Sequence, residues 1–147
     1  MANVSFLGSK DLSPEEVIRV REFVTEFMNT NCSGADAKYD NVYVSNGSGV
    51  PAIATDIAHN LRVNYETIPT KVYKWDAVGG FRDTNAEIID KSDYVVILCT
   101  EDTNSGGVGW CERYVRRVGK PCKVVWVSNP TTEATSGDTE PVAAEEE

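Results

Sequence analysis

Hydrophobic residues along the chain follow two spacings in alternation. Short apolar runs, typical of buried strands, are separated by longer stretches in which every third or fourth residue is apolar, as in helices with one buried face. The short runs predict strands near 4–7, 42–44, 71–73, 94–99 and 123–127. The periodic stretches predict helices near 14–28, 51–61, 82–90 and 110–118. The chain is therefore predicted to be a regular strand–helix repeat.

The first and last helices carry recognisable boundary signals. Ser13 can cap the first helix, Pro14 suits the first helical position, and Glu16 stands three residues after Ser13, as in a capping box. Gly119 is expected to end the last helix, because glycine readily adopts the backbone conformation found there.

The alternation of strands and helices predicts the fold class. The continuous apolar run Tyr94–Cys99 suits a central parallel strand that is covered on both faces. We therefore expect an α/β fold: a Rossmann-like three-layer sandwich with a mainly parallel sheet of about five strands, in an order near 3-2-1-4-5. Such sheets bind ligands beyond the carboxyl ends of their strands, near the switch in strand order.

Length and charge narrow the possible partners. The 147 residues suit one domain, predicted at 1–128, followed by an acidic, disordered segment at 129–147. Six of the 23 acidic residues lie in 132–147, so the net charge of −9 falls to −3 for the rest. A body with that charge has no general attraction to polyanions, so neither duplex nucleic acid nor a membrane is expected as a partner.

No signal for secretion, membrane insertion or metal binding is present in the sequence. The chain has no basic leader and no apolar run of bilayer length, so a cytoplasmic location is expected. The four cysteines form no C-x-x-C pair and there is a single histidine, so neither a metal site nor a cofactor is predicted. Disulfides are not expected in a reducing compartment.

Glycines cluster where three of the predicted strands lead into helices. The clusters are Gly8-Ser9-Lys10, Asn46-Gly47-Ser48-Gly49 and Ser105-Gly106-Gly107-Val108-Gly109. Glycine lets backbone N–H groups approach a ligand closely, and the following helix N-terminus favours an anion. None is a Walker A loop or a full G-x-G-x-x-G motif, so ATP hydrolysis and ordinary NAD binding are not supported. Together they predict a pocket for the phosphate of a small nucleotide-type ligand.

Five short motifs, in order, resemble those of the SLOG superfamily. They are Phe6–Lys10, Val44–Val50 with Ala52 and Ala54, Phe81–Asn85 with the following Ile88, Ile89, Ser92 and Asp93, Ser105–Gly109, and Gly119–Pro121. This superfamily includes the LOG-type nucleotide phosphoribohydrolases, the Rossmann-like domain of DNA-processing protein A, and small phage and bacterial relatives. The resemblance spans roughly 4–127. It implies a pocket for a nucleotide and a homo-oligomeric assembly.

The resemblance also implies roles for individual residues. The glycines of the third cluster would donate N–H groups to phosphate, Arg82 would pair with phosphate or ribose, and the hydroxyls of Ser9 and Ser48 would add contacts. Trp110 either stacks on a base or packs the helix. The predicted ligand-binding residues are Gly8, Ser9, Gly47, Ser48, Gly49, Arg82, Ser105, Gly106, Gly107, Gly109 and Trp110.

The predicted catalytic residues are Glu112 and Arg82, and here the chain departs from the family pattern. The family acid would fall on Arg113, one position after Glu112, and one helical position is a rotation of about 100°. Glu112 could act on an N-glycosidic bond, or it could pair with Arg116 one turn later. Arg82 could instead bridge Asp83 or Asp93.

Four functions remain open at this point. The chain could hydrolyse the N-glycosidic bond of a nucleoside monophosphate, or bind a nucleotide-derived signal such as a cyclic ADP-ribose-like molecule or a cyclic dinucleotide without catalysis. It could also be a nucleoside deoxyribosyltransferase-like enzyme. A single-stranded DNA binder is a fourth possibility, which the net charge of −3 disfavours.

Overall fold

The computed structural model describes residues 2–100 and 106–128, and within these ranges strands and helices alternate along the chain. The elements are β1 (Asn3–Gly8), α1 (Pro14–Asn31), β2 (Asn41–Ser45), α2 (Val50–Asn60), β3 (Tyr65–Ile68), α3 (Phe81–Lys91), β4 (Tyr94–Cys99), α4 (Gly106–Val118) and β5 (Cys122–Trp126). The predicted acidic segment 129–147 lies outside the described residues, so its disorder remains a prediction.

The five strands form one parallel sheet in the order β3-β2-β1-β4-β5. The strands end at nearly the same level: Ser45 pairs with Ile68 and Cys99 with Trp126, which are all last residues, and Gly8 pairs with Leu98, one residue before the end of β4. All carboxyl ends therefore lie on one side of the sheet, called the carboxyl edge below. The predicted α/β fold class and strand order are confirmed.

Two hydrophobic cores separate the helices from the sheet. Helices α1 and α2 cover one face, where Phe6 of β1 is fully buried, and α3 and α4 cover the other, where Leu7 is buried. Successive residues of β1 thus point to opposite cores, as the pleat of a strand requires. Coverage on both faces explains why β4 is an unbroken apolar run.

The start of α1 has the predicted capping geometry. The backbone N–H of Glu16 donates to the Ser13 hydroxyl at 3.2 Å, and the backbone N–H of Ser13 donates to the Glu16 carboxylate at 2.8 Å. Pro14 is the first helical residue, where its missing N–H costs nothing. The capping box is therefore formed in full.

Two predicted boundaries are wrong. The third strand is Tyr65–Ile68 rather than 71–73, because the N–H groups of Lys71 and Val72 both donate to Gly79 within a loop instead of to β2. Strand β3 is an edge strand with three exposed residues, so it lacks the apolar pattern of a buried strand. Helix α4 begins at Gly106, about one turn before its predicted start, so the glycines of the third cluster are helical.

No helix among the described residues is long and apolar enough to cross a membrane.

One buried polar atom in the sheet lacks a partner. The hydroxyl of Ser5, in the middle of β1, is fully buried and makes no hydrogen bond within the described residues. Leaving such a group unsatisfied costs about 1–3 kcal/mol. We expect Ser5→Ala to raise the free energy of unfolding by about 1 kcal/mol in urea titrations.

The matched control for this prediction is Ser92→Ala. The hydroxyl of Ser92 is also buried, but it donates to the carbonyl of Ile88 at 2.6 Å. Its removal should lower the free energy of unfolding by about 1 kcal/mol. A loss of stability in Ser5→Ala similar to that in Ser92→Ala would contradict the assignment of Ser5 as unsatisfied.

Candidate functional site

The first two glycine clusters meet at the carboxyl edge and pack against each other. The N–H of Val50, the first residue of α2, donates to the carbonyl of Ser9 at 3.0 Å. Gly49 has φ of +77°, and a Cβ at this position would lie 2.3 Å from the Ser9 carbonyl oxygen. Gly8 has a similar constraint, since its Cβ would lie 2.0 Å from the Leu98 carbonyl oxygen. These glycines allow the backbones of three segments to approach closely.

Several polar groups of these two clusters already have partners within the protein. The Ser9 hydroxyl accepts from the N–H of Thr100 at 3.2 Å, which fixes the end of β4. The N–H of Gly47 donates to the Ser45 hydroxyl at 3.2 Å. Because Val50 donates to Ser9 and Pro51 has no N–H, the first turn of α2 offers an anion fewer donors than the sequence suggested. The side chain of Ser48 is exposed at the same edge.

The third glycine cluster forms the first turn of α4, apart from Ser105, which lies outside the described residues. Gly109 is buried. A Cβ at Gly107 would lie 3.2 Å from Cζ3 of Trp75, so the small residue leaves room for this indole ring. Gly106 is placed at the very start of the helix, where N–H groups have no helical partner. The roles of the three glycines toward a phosphate remain predictions.

Residues 71–80, called the 71–80 loop below, connect β3 to α3 and adjoin two of the glycine clusters. Two hydrogen bonds link this region to the second cluster: Thr70 N–H donates to the Asn46 side-chain oxygen at 3.1 Å, and the Asn46 amide donates to the Tyr73 hydroxyl at 3.3 Å. At its other side Trp75 contacts Gly107. The loop therefore reaches from the end of β2 to the start of α4.

The 71–80 loop is held in shape by its own backbone. Phe81 N–H donates to the Lys74 carbonyl at 3.0 Å, and Arg82 N–H donates to the Trp75 carbonyl at 3.0 Å. Gly80 is buried at its base, where a Cβ would lie 2.1 Å from the Lys74 carbonyl oxygen. Because these bonds use amides at the start of α3, they also cap that helix.

Aromatic side chains line the 71–80 loop. Tyr73 is 70% exposed and packs against Phe81 with ring centroids 5.6 Å apart. The rings of Trp75 and Trp110 meet edge to face, with centroids 5.6 Å apart and an angle of 82°. Trp110 therefore packs α4 against the loop, which is the packing alternative considered for this residue. Its stacking on a base remains a prediction.

Basic side chains accompany these rings. Lys71 and Lys74 are exposed, and half-buried Arg82 lies at the foot of the loop, where its guanidinium donates to the Asp76 carbonyl at 3.4 Å. Arg82 bridges neither of the acids proposed for it: Asp83 accepts from Gly79 N–H and Asp93 from Asn3 N–H. Residues 70–83 contain three basic and two acidic side chains, Asp83 included, which leaves one net positive charge. This segment is thus locally cationic in an acidic protein.

Glu112 forms the ion pair that its spacing predicted. Its carboxylate contacts the guanidinium of Arg116, and its side chain is 13% exposed. Among the described residues no ion pair or hydrogen bond joins Glu112 to Arg82, the other predicted catalytic residue. A carboxylate paired with an arginine one turn along the same helix suits a structural role.

Three of the four cysteines give no sign of thiolate chemistry. Burial raises the pKa of Cys111 and of Cys122 to about 12, and the negative charge of Glu112 adds to the effect at Cys122. Burial likewise raises the pKa of Cys32 to about 11. These three thiols are therefore protonated at neutral pH and weakly nucleophilic. No group of three metal-ligating side chains occurs in the described part of the chain.

The 71–80 loop is a candidate binding element that was not predicted from the sequence. Its signal was present in Lys71-Val72-Tyr73-Lys74-Trp75, where basic and aromatic residues are interleaved. We interpreted the Val and Tyr as a strand, although both side chains are exposed. Interleaved basic and aromatic residues are typical of proteins that bind single-stranded nucleic acid.

Comparison with known proteins shows the fold. No family model and no curated protein matches the chain. DNA processing protein A (DprA) from Streptococcus pneumoniae matches with a TM-score of 0.63 and 14% identity, over 92% of this chain and 54% of that protein. DprA from Helicobacter pylori, described for its single-stranded DNA binding mode, matches with a TM-score of 0.61 and 14% identity, over 92% of this chain and 70% of that protein. The chain thus spans about half the length of the first.

This comparison corrects the predicted partners. We expected a small nucleotide-type ligand and no duplex nucleic acid, and the net charge of −3 disfavoured single-stranded DNA. Setting nucleic acid aside on charge was wrong, since a protein of the same fold is described as binding single-stranded DNA. The small ligand remains a prediction. Net charge is not a sufficient ground for excluding nucleic acid, because binding depends on the charge near the site. Nucleotide binding agrees with the fold at a coarse level, and nothing in the comparison supports hydrolysis. The chain has the Rossmann-like fold of DprA, as its resemblance to the SLOG superfamily predicted.

Proposed function

We propose that this protein binds single-stranded nucleic acid at the carboxyl edge of its sheet, with the 71–80 loop as the main contact. One observation carries the proposal: the loop exposes the ring of Tyr73, and the exposed cations Lys71 and Lys74 flank it in sequence, beside the β2–α2 junction. The single-stranded DNA binding described for H. pylori DprA, which has the same fold, supports it.

The side chains of the loop suit the two parts of a nucleotide. An exposed aromatic face can stack on a base, an interaction worth about 1–3 kcal/mol per base and tolerant of sequence. The ammonium groups of Lys71 and Lys74 can neutralise phosphates, which makes binding depend on salt. Arg82, whose guanidinium is held by the Asp76 carbonyl, adds a third positive charge at the base of the loop.

Hydrolysis of an N-glycosidic bond is left out of the proposal. The Glu112 carboxylate is engaged by Arg116, and it lies about 9 Å along α4 from the helix start at a rise of 1.5 Å per residue. No other acid on α4 could take its place, because Glu112 is the only acidic residue between Gly106 and Val118.

Fluorescence anisotropy with a labelled oligothymidylate tests the proposal. We expect binding with a dissociation constant of about 1–100 µM at about 50 mM salt, weakening steeply as salt is raised. A duplex of the same length is the control and should bind more weakly, because its bases cannot stack on Tyr73. An unchanged anisotropy up to about 100 µM protein would refute the proposal.

A further inference from the structure

Helix α4 carries a row of planar side chains that starts at the 71–80 loop. Trp110 contacts Trp75 of the loop and stacks on Tyr114 one turn later, with ring centroids 5.0 Å apart and an angle of 11°. The guanidinium of Arg117 lies 5.0 Å from the centroid of the Tyr114 ring. Trp110, Tyr114 and Arg117, called the α4 row below, follow the helical spacing of three and four residues.

The α4 row is fixed in place by its neighbours. The hydroxyl of Tyr114 donates to the Asp90 carboxylate of α3 at 2.9 Å. This hydrogen bond is the main cause that raises the pKa of Tyr114, so the hydroxyl remains protonated. The ring of Tyr114 is held by the stacking of Trp110, and its hydroxyl is held by Asp90. A side chain fixed in this way loses little conformational freedom when a ligand binds, which favours binding.

Arg117 is the member of the row that is available to a ligand. Its side chain is exposed and forms no ion pair within the described residues, in contrast to Arg116, which pairs with Glu112. A guanidinium stacked on a ring keeps its outer plane and its N–H edges accessible. Helix α4 contains three arginines and one acid, so its charge is opposite to that of a phosphate backbone.

We propose that the α4 row is a second contact for the same nucleic-acid strand, which continues from the 71–80 loop along α4 to Arg117. This inference rests on the proposed function and extends it to the path of the strand. The observation that supports this path is a continuous series of ring contacts. Trp75 belongs to the loop and contacts Trp110, which in turn contacts Tyr114. The row from Trp110 to Arg117 adds about 10 Å to the binding surface.

The test compares a short and a long oligothymidylate, of about 4 and about 12 nucleotides, on two full-length variants. Arg117→Gln removes the charge at the end of the row. The matched control, Arg62→Gln, removes one exposed positive charge after α2, on the opposite face of the sheet. We expect Arg117→Gln to weaken binding of the long oligonucleotide about fivefold relative to Arg62→Gln, and to leave binding of the short one unchanged.

Each outcome decides a different part of the proposal. If neither oligonucleotide binds the wild-type protein, the proposed function itself is wrong. If both bind and the two variants behave alike, the strand does not reach Arg117, while the proposed function stands. If Arg117→Gln weakens the binding of the short and the long oligonucleotide equally, Arg117 acts only through the overall charge of the protein. The proposed path of the strand along α4 is then also wrong. Because Arg117 is exposed, the variant is expected to fold. A thermal unfolding measurement on the variant checks this.

Discussion

Replacing Tyr73 by alanine is expected to weaken binding of single-stranded oligothymidylate about tenfold. The estimate follows from the loss of one base–aromatic stacking contact, which is worth about 1–3 kcal/mol. Stability should change little, because the side chain is 70% exposed. Fluorescence anisotropy titrations of the wild-type and variant proteins at equal salt measure the difference.

Two further variants make this prediction specific. Tyr73→Phe keeps the ring and removes the hydroxyl that accepts a hydrogen bond from Asn46, so it should retain most of the affinity. Tyr65→Ala removes another exposed tyrosine, at the opposite end of edge strand β3, and should leave binding unchanged. Equal affinities of Tyr73→Ala and Tyr65→Ala would show that the 71–80 loop is not the main contact.

Replacing Gly49 by alanine is expected to lower the free energy of unfolding by about 3 kcal/mol or more. Two effects add: the backbone conformation with φ of +77° and ψ of −130° costs about 1–3 kcal/mol for a residue with a Cβ, and that Cβ would lie 2.3 Å from the carbonyl oxygen of Ser9. The chain must then separate α2 from the segment after β1. Urea unfolding followed by circular dichroism measures the loss.

Gly34→Ala is the matched control for this prediction. Gly34 has a similar φ of +85°, but a Cβ at this position would have no neighbour within 4 Å among the described residues. Only the cost of the backbone conformation remains, so we expect a loss of about 1 kcal/mol. If the two variants lose the same stability, the close approach of Gly49 to Ser9 contributes nothing, and the packing role assigned to the second glycine cluster is wrong.

The fold could be predicted wherever one local signal agreed with burial. Tyr94–Cys99 was predicted with its true ends because a strand covered on both faces is apolar at every position. The start of α1 was predicted from Ser13 and Glu16, whose capping interactions depend on sequence spacing alone. Strand β3 was missed because an edge strand needs only one hydrogen-bonded neighbour and here exposes three of four residues.

The candidate site could be predicted only in part. The position at the carboxyl edge followed from the topology of parallel sheets. The contacts of the glycines could not be predicted, because a glycine that approaches a phosphate and one that approaches another backbone look alike in sequence. At Gly49 the approaching group is the Ser9 carbonyl, which the sequence places 40 residues away. The contact of Trp75 with Gly107 is equally long-range.

Net charge was a poor guide to where the chain could bind a polyanion. A net value for residues 1–131 averages the acidic surface of α1 with the cationic segment 70–83. A bound strand experiences mainly the charges within about 10 Å at moderate salt. Lys71, Lys74 and Arg82 are close together in sequence, so a count over a short window, rather than the whole chain, would have indicated this segment.

The perpendicular contact between Trp75 and Trp110 makes the protein its own optical reporter. Two of its three tryptophans lie in this contact, and the third, Trp126, ends β5. Any movement of the 71–80 loop against α4 changes the surroundings of both indoles at once. Intrinsic emission can therefore follow that movement in real time without attaching a dye, and replacing Trp126 by phenylalanine would remove the background signal.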